Sequence, residues 1–377
     1  MLKRICANAV LLFVALLFLV VAESPAQAKQ EMKMDEGPLR VALAGLVHGH
    51  AFGFFDQFQK RTDLQVIGIA EADGQLVAQF EKKYGLAPSI FYSDLEEMLK
   101  KTHPQAVLAY TNTYDHRRVV EVCARYGVPV MMEKPLAVSL EDARAIEKAA
   151  RAGKIQVLVN YETTWYRSNQ AAYDLVQGKA LGEIRKIVVH DGHSGPKEIN
   201  VGPEFLAWLT DPKLNGGGAL FDFGCYGADL ATWLMGGLRP DSVTAVTQQI
   251  KPEVYPRVDD EATIVLTYPK AQAIVQASWN WPFSRKDMEV YGQKGYAITV
   301  GRDVVRVRLQ KEEISEVAKP LQESKEDSVS YLRAVLLGGL KPEGQSSLET
   351  NVIVTEILDA ARRSAASGKT VSLVGTP

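Results

Sequence analysis

The sequence predicts a parallel, doubly wound α/β sheet followed by an α+β domain with a largely antiparallel open sheet. Three observations carry this. Short apolar or β-branched runs alternate with helix-length periods over the first part of the chain, which is the signature of a parallel sheet. After Gly182 strand-like stretches follow one another closely, as in an antiparallel sheet. The chain has 377 residues, 46% hydrophobic and 23% charged, enough for two cores.

The chain opens with Lys3 and Arg4, an apolar run from Ala9 to Ala22, and Ser24-Pro25-Ala26-Gln27-Ala28. That is the pattern of a secretory signal cleaved after Ala28. The apolar run falls short of the roughly 20 residues a spanning helix needs, so no stable membrane anchor is expected. An exported, periplasmic or secreted protein follows. Lys3-Arg4 in place of adjacent arginines points to the general export route. The polar stretch 29–37 reads as a flexible tail.

Strands are expected at 39–45, 64–71, 105–111, 128–135 and 155–161, giving a first domain over 38–158. A second, α+β domain spans 159–345. Its strands are joined by turns such as Tyr268-Pro269-Lys270 and Gly292-Gln293-Lys294-Gly295. It is interrupted by a helix from about Gly217 to Met235. A last helix, with Ser347 as N-cap, Glu349 in its first turn and Gly368 as its stop, falls in a closing segment 346–377.

The net charge of −2 offers no basic field for nucleic acid. Cys6 leaves with the signal. Cys123 and Cys225 lack Cys or His neighbours at metal-ligand spacing and read as buried thiols, and no metal is expected.

The first strand runs into Gly45-Leu46-Val47-His48-Gly49-His50, where a dinucleotide fold places G-x-G-x-x-G against a pyrophosphate. Only the first glycine of that pattern is present. Glu71, ending the second strand, is positioned for a ribose hydroxyl, which favours NAD over NADP. Glu133-Lys134-Pro135 follows a core-like run at the carboxyl end of a parallel strand, where ligands of such sheets bind, and its X-Pro bond is a candidate for cis. Gly216-Gly217-Gly218 precedes Asp222, Tyr226 and Asp229, which a continuous helix would align on one face. A tyrosine between two acids suits proton transfer. His190 and His193 flank Asp191 on a strand, where alternation sends His190 and Asp191 opposite ways. Tyr161, Trp165 and Tyr166 follow the fifth strand and suit either a sugar surface or an interdomain core.

This order of motifs resembles the Gfo/Idh/MocA family: the glycine turn, T-x-x-x-x-H at Thr111 to His116, E-K-P at 133–135, the glycine-rich segment 216–229, and a closing S-G-K-T-V-S-L. The resemblance implies a Rossmann domain and a nicotinamide-dependent oxidoreductase acting on a sugar or polyol. It assigns Lys134, Tyr226 (where most members carry histidine) and Asp229 to catalysis. It adds Thr111, His116, Glu133 and Lys134 to Gly45, Val47, His48, Gly49 and Glu71 around the cofactor, while Tyr161, Trp165, His193, Asp222 and Tyr226 are read toward the substrate. It also implies a homo-oligomer. Two alternatives stay open: an NAD-dependent glycosidase that oxidises its sugar transiently, and a non-catalytic sugar-binding protein, suggested by the two missing glycines.

Overall fold

The computed structural model describes residues 37–375. The expected signal 1–28 and nearly all of the tail 29–37 lie outside them.

Strands β1 (Leu39–Ala44), β2 (Leu64–Ala70), β3 (Phe91–Tyr92), β4 (Ala106–Ala109), β5 (Val130–Glu133) and β6 (Val157–Asn160) form a six-stranded sheet in the order β3-β2-β1-β4-β5-β6. All its pairings are parallel. The helices around it are α1 (His50–Phe58), α2 (Gly74–Tyr84), α3 (Leu95–Thr102), α4 (His116–Arg125) and α5 (Leu140–Gly153). β4 and β5 are buried along their whole length, because helices cover both faces. The chain order reverses between β1 and β4, and a crevice opens there at the carboxyl ends of the strands. The five strand runs read from sequence all form. The short edge strand β3 was not expected, since its two residues carry no periodicity.

After α6 (Arg167–Gln177) comes a nine-stranded sheet, β14-β13-β12-β11-β7-β10-β9-β8-β15. Its strands are β7 (Ile184–Gly192), β8 (Ser242–Gln248), β9 (Glu261–Thr267), β10 (Gln272–Ser278), β11 (Arg285–Gly292), β12 (Tyr296–Val300), β13 (Val304–Arg308), β14 (Ile314–Val317) and β15 (Val371–Ser372). It is antiparallel except where β7 and β10 run side by side. The helix expected over 217–235 is two pieces, α9 (Ala219–Asp222) and α10 (Gly224–Leu234), after the short α7 (Pro203–Leu209) and α8 (Pro212–Asn215). Every residue of α10 is buried, and the helix lies so close to β10 that a Cβ on Gly227 would stand 2.3 Å from Val275 Cγ1.

After α11 (Ser328–Leu336) comes α12 (Leu348–Ser367), which forms as expected. The Ser347 side chain accepts from the Thr350 amide, and Gly368 takes the left-handed conformation at φ 64°. α12 packs on α5, α10 and β8, and Asn351 on it accepts from the buried Tyr161 hydroxyl at 2.9 Å. One helix thus ties the two sheets together. Among the described residues no helix is long and apolar enough to cross a membrane.

Candidate active site

The turn after β1 is the first wall. Gly45 has φ +79°, and a Cβ there would meet Thr111 Cγ2 at 2.7 Å, so the residue must be glycine and Thr111 is its packing partner. Glu71 braces the turn: one carboxylate oxygen accepts from the Leu46 amide and the other from the Asp73 amide, both at 2.8 Å. Among the described residues the amides of Val47 and Gly49, just before α1, donate to no protein acceptor. Free N–H groups at a helix N-terminus suit a phosphate. Trp208 closes the turn from α7 by donating to the Val47 carbonyl at 3.1 Å, and Phe205 lies against Gly49.

The histidines standing at and beside the missing glycines form a hydrogen-bonded relay. The buried His48 Nδ1 accepts from the His50 amide at 3.1 Å, and His50 Nδ1 lies 2.8 Å from Glu133. Ligand atoms of His48, His50 and Glu133 fall within 4.8 Å of one another. The network gives the proton of His48 to Nε2 and that of His50 to Nδ1, facing the carboxylate. With its Nδ1 lone pair taken by the His50 amide and its proton on Nε2, His48 has none to offer a cation in this arrangement. Burial holds His48 well below the usual histidine range, and its His50 and Lys134 neighbours add to this.

The end of β5 is the second wall. Burial pushes the Glu133 carboxyl upward, but attraction to His50 and hydrogen bonds from His50 and Asn160 outweigh it and hold it below its ordinary value. Lys134-Pro135 is cis. His116 sits beneath the turn, its Nδ1 donating to the carbonyls of Pro135 (3.1 Å) and Leu136 (3.2 Å). Lys134 Nζ reaches across to α9 and donates to Asp222 Oδ1 at 2.5 Å and to the Asp222 carbonyl at 2.9 Å. Trp279 donates to the other Asp222 oxygen at 2.9 Å. Burial opposes both charges, yet their mutual attraction holds Lys134 above and Asp222 below their ordinary values.

Tyr226 stands on this pair. Lys134 Nζ lies 5.1 Å from its ring centroid and Lys286 Nζ 4.8 Å, while Tyr161 packs edge-on at 5.4 Å. Among the described residues its hydroxyl has no hydrogen-bond partner, and the residue lines a cavity of about 380 Å³. Burial drives the phenol well above its ordinary value, with Glu162, Cys225, Asp222 and Glu133 pushing the same way.

From the expected set the cavity gathers Val47, Gly49, Lys134, His193, Asp222 and Tyr226, with His50 beside them. Gly45, His48, Glu71, Thr111, His116 and Glu133 are not among its lining residues, nor are Asp229, Tyr161 and Trp165. Asp229 is fully buried with neither carboxylate oxygen hydrogen-bonded, because the helix breaks at Phe223 and α10 is enclosed on every side. Tyr161 is sealed behind Tyr226, and Trp165 bonds to Asn160 and packs on Tyr331 as interdomain core. His190 and Asp191 do face opposite ways: His190 pairs with Asp287 at 3.1 Å, and Asp191 is buried. Cys123 and Cys225 are buried free thiols. Lys286, Trp279, Phe205 and Asp259 went unread in the sequence. Asp259 anchors the glycine stretch by accepting from the amides of Gly218 (2.9 Å) and Leu220 (2.7 Å). Of these, only the alternation around Lys286 left a readable trace.

Comparison with known proteins identifies the family and the fold. Residues 39–161 match the profile described as an oxidoreductase family with an NAD-binding Rossmann fold, and residues 169–298 match the GFO/IDH/MocA C-terminal domain. The trans-1,2-dihydrobenzene-1,2-diol dehydrogenase of Xenopus tropicalis is 27% identical over 311 residues, covering 79% of this chain and 89% of its own. Among solved structures, an inositol dehydrogenase homologue from Azotobacter vinelandii complexed with NAD+ superposes with a TM-score of 0.78 at 19% identity, covering 91% of this chain and 99% of its own. The aldose-aldose oxidoreductase of Caulobacter crescentus, complexed with glycerol, gives 0.75 at 22% identity, covering 89% and 100%.

Proposed function

The chain belongs to the Gfo/Idh/MocA family of NAD-binding oxidoreductases, and from that premise we propose hydride transfer at a carbinol carbon of a sugar or polyol, with Tyr226 exchanging the hydroxyl proton. The observation that supports this best is that Tyr226, whose hydroxyl has no hydrogen-bond partner among the described residues, lines the cavity with two ammonium groups over its ring. Its relatives act on hydroxyl-bearing carbons by their names: a cyclic diol, an inositol and aldoses.

The residues present fit a dinucleotide. The free Val47 and Gly49 amides suit its pyrophosphate, Glu71 its ribose hydroxyls, and Lys134 the region where the reacting oxygen lies. Bound NAD supplies the hydride acceptor or donor, which no side chain can. The protein's own part is to position and to move a proton. Asp222 and Trp279 hold Lys134 charged and fixed, so it polarises an oxygen placed beside it. Tyr226 keeps its proton at neutral pH and so donates to a carbonyl in reduction. In oxidation it must first lose that proton, so the oxidation rate should climb through alkaline pH.

Tyr226→Phe keeps the ring and removes the proton. It should cost about 10²- to 10⁴-fold in turnover while cofactor binding survives. The measurement is steady-state NAD+ reduction with a panel of cyclic polyols, aldoses and trans-diols, beside calorimetry with NAD+. Near-normal turnover would remove Tyr226 from the reaction.

Export and self-association belong to the same proposal. The composition of residues 1–28 supports the first. The exposed apolar residues Ile314 and Val317 on the edge strand β14 support the second. Cell fractionation with N-terminal sequencing, and the solution mass of the mature chain, test them.

A further inference from the structure

Lys286 has no counterpart among the motifs discussed so far. On β11 it stands opposite Asp191 of β7, while its neighbours Arg285 and Asp287 pair with each other on the other face of the sheet. Its ammonium turns inward, 4.8 Å from the Tyr226 centroid and 6.0 Å from that of Phe223, and lines the cavity. It forms an ion pair with Glu162, in the turn after β6, whose other oxygen accepts from the Tyr166 hydroxyl at 2.5 Å.

We propose that the Lys286–Glu162 pair is a charge-tuning device for Tyr226, with Lys286 favouring the phenolate and Glu162 restraining it. The inference rests on Tyr226 as the acid/base group. Lys134 is locked to Asp222 in a pair buried on both sides. The countercharge of Lys286 sits instead on Glu162, whose side chain is 45% exposed, and the balance between the two is adjustable by what enters the cavity. The groups facing Tyr226 are Glu162, Glu133, Asp222 and Cys225, which disfavour its ionisation, and Lys134 and Lys286, which stand on its ring. Tyr161 packs on its edge, and His193 approaches through Phe223. Beneath Lys286, Asp191 has neither oxygen hydrogen-bonded, and burial keeps it in its neutral form. Glu162 is therefore the nearest anion that can answer Lys286.

The signs follow. A cation within about 4–6 Å lowers an acid's pKa and an anion raises it, each by about one to three pH units. Lys286→Met should displace the Tyr226 titration toward alkaline pH by about one unit or more, and Glu162→Gln should displace it toward acid by a similar amount. Lys286→Arg should restore the native position. The titration is read without substrate, as tyrosinate absorbance of each variant minus that of the same variant carrying Tyr226→Phe. The pH midpoint of kcat/KM for NAD+-dependent oxidation is read in parallel. An ion pair that only ties β11 to the turn after β6 would change the melting temperature and leave the tyrosine midpoint in place, and that result overturns the proposal. Failure of the acid/base reading looks different: Tyr226→Phe would retain turnover while the tyrosinate midpoint still moved with Lys286 and Glu162.

Discussion

Asp222 and Asp229 are buried carboxylates on the same glycine-led segment, and their surroundings are opposite. Asp222, at the end nearer the cavity, takes an ammonium on one oxygen and an indole N–H on the other. Asp229, one stretch of helix further on, has no hydrogen bond to either oxygen. The first is held ionised by Lys134; the second is pushed by burial alone toward its neutral form. Only the upper end of the segment brings an acid to the cavity among the described residues, at the point where α9 is separate from α10. The lower end is core that happens to carry an acid.

The largest break in this comparison should come from Asp222→Asn. It leaves the Lys134 ammonium buried without a countercharge, which typically costs about 3–5 kcal/mol. Urea denaturation should report that loss, with turnover falling alongside. A variant as stable as the native chain would mean that Lys134 finds another partner or gives up its proton.

Asp229→Asn should act in the other direction and depend on pH. A carboxyl whose folded pKa is raised contributes stability below its unfolded value, near 4, and loses it as pH rises toward the folded pKa. The native chain should weaken through that window, while the amide does not titrate. Melting curves of the two should nearly coincide near pH 4 and separate above it, the variant being the more stable. Asp222 has the opposite sign: its contribution is present above pH 4 and is lost as pH falls below. Parallel curves at all pH values would show that Asp229 is not buried neutral.

Much of this was legible in the sequence. The β-branched runs located the parallel strands, and Lys134, Asp222, Tyr226 and His193, picked out at strand ends and on the glycine-led segment, line one cavity. Asp229 was misread because helical spacing gives a stripe without saying whether the stripe faces a cavity or a core. Tyr161 and Trp165 failed for a related reason: aromatic rings at a junction serve packing and sugar surfaces equally well. Lys286 and Trp279 come from a distant sheet and carry no local signal of their target. In Arg285-Lys286-Asp287 the alternation did separate two faces, but only the fold shows that one of them looks into the cavity.

Asp259 touches only the upper end of the segment, so its removal should have the smallest and most selective effect. Its carboxylate accepts from the amides of Gly218 and Leu220, and its carbonyl accepts from the Ala219 amide at 3.0 Å. The approach is so close that a Cβ on Gly218 would lie 1.8 Å from that carbonyl oxygen, which is why glycine stands there. Asp259→Ala keeps the carbonyl contact and removes the two carboxylate bonds, leaving amides that cost about 1–3 kcal/mol when unsatisfied. The lower end, held by packing of α10 against β10 and α12, should not respond. Asp222 should lose its fixed position, so that turnover falls by more than the stability change accounts for and the Asp229-linked pH dependence of melting is unchanged. Should turnover stay native while stability drops, the glycine stretch is anchored by Asp259 without that anchor positioning the Lys134–Asp222 pair.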